Sequence, residues 1–144
     1  MREKDLICGL SGTVLGAVAQ AFGGWDTSLA TLLVFMALDY LTGLVAAGIF
    51  HKSNKTKSGA LESNASFKGL CRKGAILVLV LIGARLDLLL GVHYVRDSVC
   101  IAFLLSEGIS ILENVCLMGV VPPQILRKAL ALLQEQENRQ DDPK

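Results

Sequence analysis

The segment from Leu29 to Phe50, LATLLVFMALDYLTGLVAAGIF, is an almost uninterrupted apolar run whose one charged residue is Asp39. A helix needs about 20 mostly apolar residues to cross about 30 Å of membrane hydrocarbon. This segment meets that requirement and predicts a transmembrane helix. Segments 74–90 and 99–121 are similar, and segment 6–22 is shorter and richer in small residues. The chain, 52% hydrophobic, is therefore predicted to be an all-α integral membrane protein with four transmembrane helices.

The lysine and arginine residues indicate how these segments are oriented. Twelve of the 14 lie before the first segment, in segment 51–73 or after the fourth segment. Positive charge collects in loops that stay on the cytoplasmic side of a membrane. We therefore expect a multi-pass protein with both termini in the cytoplasm, a transmembrane domain over residues 1–121 and a basic cytoplasmic loop at 51–73.

The N-terminal segment also fits a second interpretation. Arg2 and Lys4, a short apolar stretch and the sequence AVAQA at 17–21 resemble a cleavable signal peptide. Cleavage would leave three transmembrane helices instead of four.

Residues 122–144 are predicted to form a cytoplasmic amphipathic helix followed by a disordered tail, NRQDDPK. Pro122 and Pro123 end the fourth segment, and proline is tolerated in the first turn of a new helix. In QILRKALALLQEQE the apolar side chains share one face, which is formed by Leu126, Ala129, Leu130 and Leu133. Such a helix could lie on the membrane or pair with copies of itself.

A basic cluster, FKGLCRKG, precedes the third segment. Its cations Lys68, Arg72 and Lys73 are predicted to bind the headgroups of anionic lipids, because each positive charge near such a surface contributes about 1 kcal/mol. The alternative is that the cluster only sets the orientation of the adjacent helix.

Five polar residues lie on one face of the fourth segment, in SEGISILEN: Ser106, Glu107, Ser110, Glu113 and Asn114. At about 100° per residue they share an arc of about 120°. Ionisable groups inside a membrane are costly and usually face protein or water. We expect this polar stripe to line a pore or a seam between subunits. The alternative is a four-helix bundle held together by internal polar contacts, without any pathway.

Arg85 is the predicted partner of two acidic residues within the membrane. Asp39 and Glu107 lie at similar depths below the outer ends of their segments, at about 1.5 Å of rise per residue, and Arg85 lies near the outer end of the third. The hypothesis is that Arg85 bridges Asp39 and Glu107, within one chain or between chains.

Several classes of function are disfavoured by the sequence. The four cysteines show neither a zinc-binding spacing nor a disulfide framework, and we expect them to be small buried hydrophobic residues. No catalytic motif is present, and His51 and His93 are isolated, so an enzyme is not expected. A net charge of +1 without a basic stripe disfavours nucleic acid as a partner. No cofactor or metal is predicted.

The chain resembles the toxin-secretion and phage-lysis holins, a family that includes clostridial toxin-release proteins. The resemblance rests on five stretches in a fixed order: LDYLTGLVAAG (38–48), SFKGLCRKG (66–74), ARLDLLLG (84–91), VRDSVCIAFLLSEGISILEN (95–114) and GVVPPQILRKALALL (119–133). It implies a homo-oligomer that forms lesions in the bacterial cytoplasmic membrane and collapses the proton gradient. Its functional partner would be an endolysin or a secreted toxin. Only SEGISILEN, Asp39 and Arg85 are carried over as candidate functional positions.

Two other functions remain open from the residues. A small proton-coupled multidrug or cation exporter acting as a dimer could use an intramembrane glutamate to exchange protons for its substrate. A structural membrane adaptor would depend on the C-terminal amphipathic helix.

Overall fold

A computed structural model describes residues 3–140 and contains five α-helices, with no strand among these residues. The helices are α1 (Glu3–Ala21), α2 (Thr27–Gly48), α3 (Ser63–Leu90), α4 (Val95–Leu117) and α5 (Gln124–Gln140). The all-α prediction is confirmed. Residues 141–144, the end of the predicted disordered tail, lie outside the described part, and Asn138–Gln140 belong to α5.

Two of the helices, α2 and α4, are long and apolar enough to cross a membrane. The described structure does not confirm four transmembrane helices. α3 has the length, but it carries charges in both halves, from Lys68 to Asp87. α1 carries two acidic residues, Glu3 and Asp5, in its first turn, so its apolar part is shorter than the helix.

The boundary of α3 differs from the prediction. Residues 51–73 were expected to be a loop, but a helix begins at Ser63 and continues for 28 residues to Leu90. Gly91 ends it in the left-handed conformation, at φ 65°, which glycine adopts without a Cβ penalty. The basic cluster therefore lies on the first three turns of α3.

The core lies where α4 packs along α2 and α3. Leu32, Val80 and Cys100, one from each helix, are the largest fully buried side chains, and Gly83 allows α3 and α4 to approach closely. A Cβ at Gly83 would lie 3.0 Å from the Cα of Arg96. Cys100 is buried as expected. That expectation is wrong for the other three cysteines, Cys8, Cys71 and Cys116, which are exposed on helix surfaces.

α1 buries none of its residues and exposes apolar side chains along its length, including Leu6, Leu10 and Val14. A Cβ added at Gly12 or Gly16 would meet nothing within 4 Å. No helix of the described chain therefore packs closely against the face of α1 that carries Gly12 and Gly16.

α5 is the expected amphipathic helix, but it folds back against α4 instead of standing apart. Leu130 packs over Gly108, where an added Cβ would lie 3.0 Å from Leu130 Cδ2 and 3.4 Å from Phe35 Cε2. The guanidinium of Arg127 reaches back to Cys116 Sγ, at 3.9 Å. α4 and α5 therefore form an antiparallel helical hairpin.

Candidate functional site

The centre of the bundle contains a charged triad, formed by Asp39 of α2, Lys73 of α3 and Glu107 of α4. Lys73 Nζ donates to Asp39 Oδ2 at 2.8 Å and also to Glu107 Oε2. The three side chains are 7, 11 and 8% exposed, in that order. One ammonium thus holds three helices together through two buried carboxylates.

A fourth charge completes this arrangement from the loop between α2 and α3. Lys55 Nζ lies 3.7 Å from Asp39 Oδ1, and its side chain is 46% exposed. Two carboxylates and one ammonium would carry a net negative charge, which is costly to bury. Lys55 compensates that charge from the solvent side.

Asn114 of α4 adds an uncharged link to α2. Its Nδ2 donates to Asp39 Oδ1 at 3.1 Å, to the Asp39 carbonyl at 3.3 Å and to Thr42 Oγ1 at 3.0 Å. Thr42 Oγ1 in turn donates to the Asp39 carbonyl at 3.2 Å. Every buried side-chain nitrogen and oxygen of the described residues has a partner, as a stable low-dielectric site requires.

The structure brings Asp39 and Glu107 together, as the hypothesis required, but the bridging cation is Lys73. Arg85 is exposed, and it makes no ion pair within the described residues. The reason is helical geometry: 12 residues separate Arg85 from Lys73, which is about 18 Å of rise and about 120° of rotation. Arg85 thus faces another direction near the opposite end of α3. The hypothesis that Arg85 forms the bridge within the chain is wrong.

Lys73 was predicted to bind lipid headgroups, and it is instead turned into the bundle. The error follows from the predicted start of the helix at residue 74. Lys73 lies ten residues after the first residue of α3, and Asp39 and Glu107 lie nine and ten residues before the last residues of α2 and α4. A helix start near Ser63 would have placed the three charges at one depth. With that start, the sequence would have offered Lys73 as a second candidate beside Arg85, and only the packing of α3 decides between them.

The predicted polar stripe of α4 divides between different environments. Glu107 and Asn114 are buried, Ser110 is half-buried, and Ser106 and Glu113 are exposed. Ser106 and Ser110 line the same cleft as Asp39 and Glu107. The side chain of Glu113 makes no hydrogen bond or ion pair with another described residue. Thus two of the five stripe residues, Glu107 and Asn114, connect α4 to α3 and α2, and two others, Ser106 and Glu113, are exposed.

The triad lines a cleft of about 370 Å³ between α2, α3 and the connecting loop, to which α4 contributes Ser106, Glu107 and Ser110. The loop is held in shape by its own hydrogen bonds, from Ser53 N to the Gly59 carbonyl at 2.9 Å and from Thr56 Oγ1 to the Ala60 carbonyl at 2.9 Å. Gly59 has φ 72°, and a Cβ there would lie 2.4 Å from the His51 carbonyl oxygen. The loop therefore needs glycine at this position.

A second polar network, which the sequence analysis missed, lies at the other end of the bundle. The Asp87 carboxylate accepts from the backbone N–H groups of Val95 and Arg96, at 2.9 and 3.0 Å, and so caps the start of α4. The buried guanidinium of Arg96 donates to the Phe22 carbonyl at 3.0 Å and to the Asp26 carboxylate. Asp26 itself caps α2 through Leu29 N at 3.0 Å.

Neither network resembles a metal site. No group of three histidine, cysteine, aspartate or glutamate residues that could hold a metal ion occurs among the described residues. The carboxylates of Asp39 and Glu107 already hold an ammonium ion from within the chain.

Comparison with known proteins gives a consistent set of relatives. Residues 16–135 match the bacteriophage holin family. An uncharacterized protein of Clostridium perfringens strain 13 is 41% identical over 140 residues, which cover 94% of this chain and 98% of that protein. Another uncharacterized Clostridium perfringens protein, of 14.9 kDa, is 43% identical over 114 residues, covering 78% and 80%. A probable holin of Bacillus phage phi105 is 25% identical over 115 residues, covering 77% and 79%. No solved structure matches.

Proposed function

The chain belongs to the bacteriophage holin family, and we propose that it oligomerises in the bacterial cytoplasmic membrane and forms lesions there. The lesions would collapse the proton gradient and give an endolysin or a toxin a route out of the cell. The proposed arrangement has four membrane-crossing helices, α1 to α4, with both termini in the cytoplasm. It requires α5 to leave the contact with α4 that Leu130 makes at Gly108, so that α5 lies on the cytoplasmic side. The apolar helices α2 and α4 and the family both indicate a membrane protein.

The observation that carries the proposal is the charged triad of Asp39, Lys73 and Glu107 inside an apolar bundle. A charged side chain on a membrane helix is tolerated in two environments: paired with another group inside the protein, or exposed to water. In the monomer the charges satisfy each other. If α4 moved away from α2 and α3 within an oligomer, the same groups would face a water-filled lumen.

This arrangement provides a two-state element. The closed state is held by contacts that α4 makes with both other helices, through Glu107 to Lys73 and through Asn114 to Asp39. Only an environment that supplies water to all of these groups can replace the contacts without a large cost. An assembly large enough to enclose water meets that condition, and an isolated open monomer in lipid does not.

The exporter is not favoured as an alternative. A proton-coupled exporter needs a buried carboxylate that binds protons and substrate in turn, whereas the two buried carboxylates, Asp39 and Glu107, are both engaged by Lys73, and Glu113 is exposed. The family also points to lysis. We propose a non-enzymatic role.

The test is the membrane potential of single bacterial cells after induction of the gene, with and without a cytoplasmic endolysin. We expect sudden depolarisation after a silent delay, and lysis only in cells that also contain the endolysin. The variant Lys73→Met should change the delay, and the control Lys57→Met, an exposed loop lysine, should keep it. Cells that stay energised throughout would refute the proposal.

A further inference from the structure

Two cations on α3 have no partner in the described structure, although they face a cavity. Lys68 and Arg72 are exposed, are four residues apart and therefore lie on one side of the helix, and both line the cleft above the triad. Neither makes an ion pair with a described residue. Two unpaired positive charges at the mouth of one cleft attract an anion.

The acidic groups of the same cleft cancel only part of this charge. Asp39 and Glu107 are balanced by Lys73 and Lys55. Glu62 also lines the cleft, where it accepts a hydrogen bond from the neutral Ser58 hydroxyl at 3.0 Å and forms no ion pair with a described residue. Lys68 and Arg72 therefore leave the cleft with an excess of one positive charge, and the planar fork of Arg72 suits phosphate oxygens.

The rest of the cleft suits a phosphate ester better than a bare ion. Its wall is also formed by apolar side chains, including Leu44, Ala47 and Leu61, and its volume is about 370 Å³. A glycerol unit next to the phosphate would contact such a surface favourably. In the arrangement proposed above, the cleft extends from the depth of the triad to the loop at the cytoplasmic end of the bundle. Arg72 lies at the depth of the triad and Lys68 about 6 Å nearer the headgroups, and such long cationic side chains extend toward the membrane surface.

From this combination we infer that the cleft between α2, α3 and the 51–62 loop is a binding site for the phosphate group of an anionic phospholipid, held by Lys68 and Arg72. The access of a lipid phosphate to this cleft from the cytoplasmic side rests on the proposed function. Lys73 takes no part, because its ammonium is enclosed by two carboxylates. A lipid bound there joins the loop to α3 and so supports the closed bundle.

The experiment measures lipid retention by the purified full-length protein, without reference to lysis. Protein in detergent is mixed with phosphatidylglycerol or phosphatidylcholine, and bound lipid is counted by native mass spectrometry. The variant Lys68→Gln/Arg72→Gln removes the two cleft charges. The matched control Lys52→Gln/Lys57→Gln removes two exposed charges from the neighbouring loop, and neither residue lines the cleft.

We expect the wild type and the control to retain phosphatidylglycerol over phosphatidylcholine, and the cleft variant to lose that preference by about tenfold or more. Equal retention by both double variants would overturn the inference. Inorganic phosphate distinguishes the source of the anion. If millimolar phosphate raises the melting temperature of the wild type but no phospholipid is retained, the lipid assignment is wrong. Because the readout is binding, a failure here leaves the depolarisation result unaffected.

Discussion

The side-chain amide of Asn114 donates at once to the carboxylate and to the main-chain carbonyl of Asp39, and so connects the last turn of α4 to the middle of α2. The donor of this link is uncharged, unlike the ammonium of Lys73, although one acceptor is the Asp39 carboxylate. Both links must break if α4 is to leave α2 and α3. The stability of the closed bundle is therefore divided between an ion pair and a set of amide hydrogen bonds, whose donors can be substituted separately.

Removal of the ammonium group should strongly destabilise the closed bundle. Lys73→Met leaves two buried carboxylates without their cation, and loss of one member of a buried ion pair costs about 3–5 kcal/mol. Denaturant unfolding in micelles, followed by helical circular dichroism, measures the change. Arg85→Met is the matched control on the same helix, and we expect little effect because that side chain is exposed without an ion pair to a described residue.

The same network can be neutralised as a whole. In the triple variant Asp39→Asn/Lys73→Met/Glu107→Gln no buried charge remains, and most of the lost stability should return. If the triple variant is as unstable as Lys73→Met alone, the lost stability does not come from unpaired carboxylates.

Asn114→Asp should destabilise more than Asn114→Leu. The aspartate brings a second carboxylate against Asp39, whereas leucine only removes hydrogen bonds, at about 1–3 kcal/mol for the groups left unsatisfied. Unfolding of the two variants is compared with that of Glu113→Gln, which alters the exposed neighbour. An unchanged midpoint for Asn114→Asp would contradict the contact with Asp39.

Removal of the Asp87 carboxylate, which caps α4, should lower the stability of the fold more than removal of the exposed Asp97 carboxylate. Asp87→Ala leaves the N–H groups of Val95 and Arg96 without their acceptor, and a lost cap costs about 1–2 kcal/mol. Asp97→Ala removes a carboxylate that is 47% exposed and 3.2 Å from Arg96, and its effect should be smaller. Thermal unfolding of both variants gives the order, and the reverse order would contradict the assignment of the cap.

A large side chain at residue 108 should displace α5. In Gly108→Leu the added atoms would occupy the space of Leu130 and Phe35. The measurement uses a background without native cysteines, in which Leu130→Cys reports access to a water-soluble maleimide. Labelling should be slow with glycine at 108 and faster with leucine.

Gly12→Leu is the control for this variant, since a Cβ at Gly12 meets nothing within 4 Å. It should leave the labelling rate unchanged. Equal labelling rates with glycine and leucine at residue 108 would show that α5 does not rest on α4.

The sequence by itself determined the helical class, the strongest spans and the presence of buried charge. The apolar runs that contain Asp39 and Glu107 have the length of a helix that crosses a membrane or a protein core. A charged group in such a run needs a partner. Asp39 and Glu107 could therefore be assigned to one network from their depths. The C-terminal amphipathic helix was likewise visible in the spacing of its leucines.

Only the tertiary structure decided which cation serves that network and which polar groups of α4 are used. Lys73 and Arg85 have similar chemistry, and the choice between them depends on where α3 begins and on which of its faces meets α2 and α4. It also decided that α5 folds back onto Gly108, and that Arg96 and Asp87 join the other ends of the helices. These features depend on contacts between residues that are far apart in the chain. The periodicity of the sequence specifies which face of a helix is apolar, but not which neighbour that face meets.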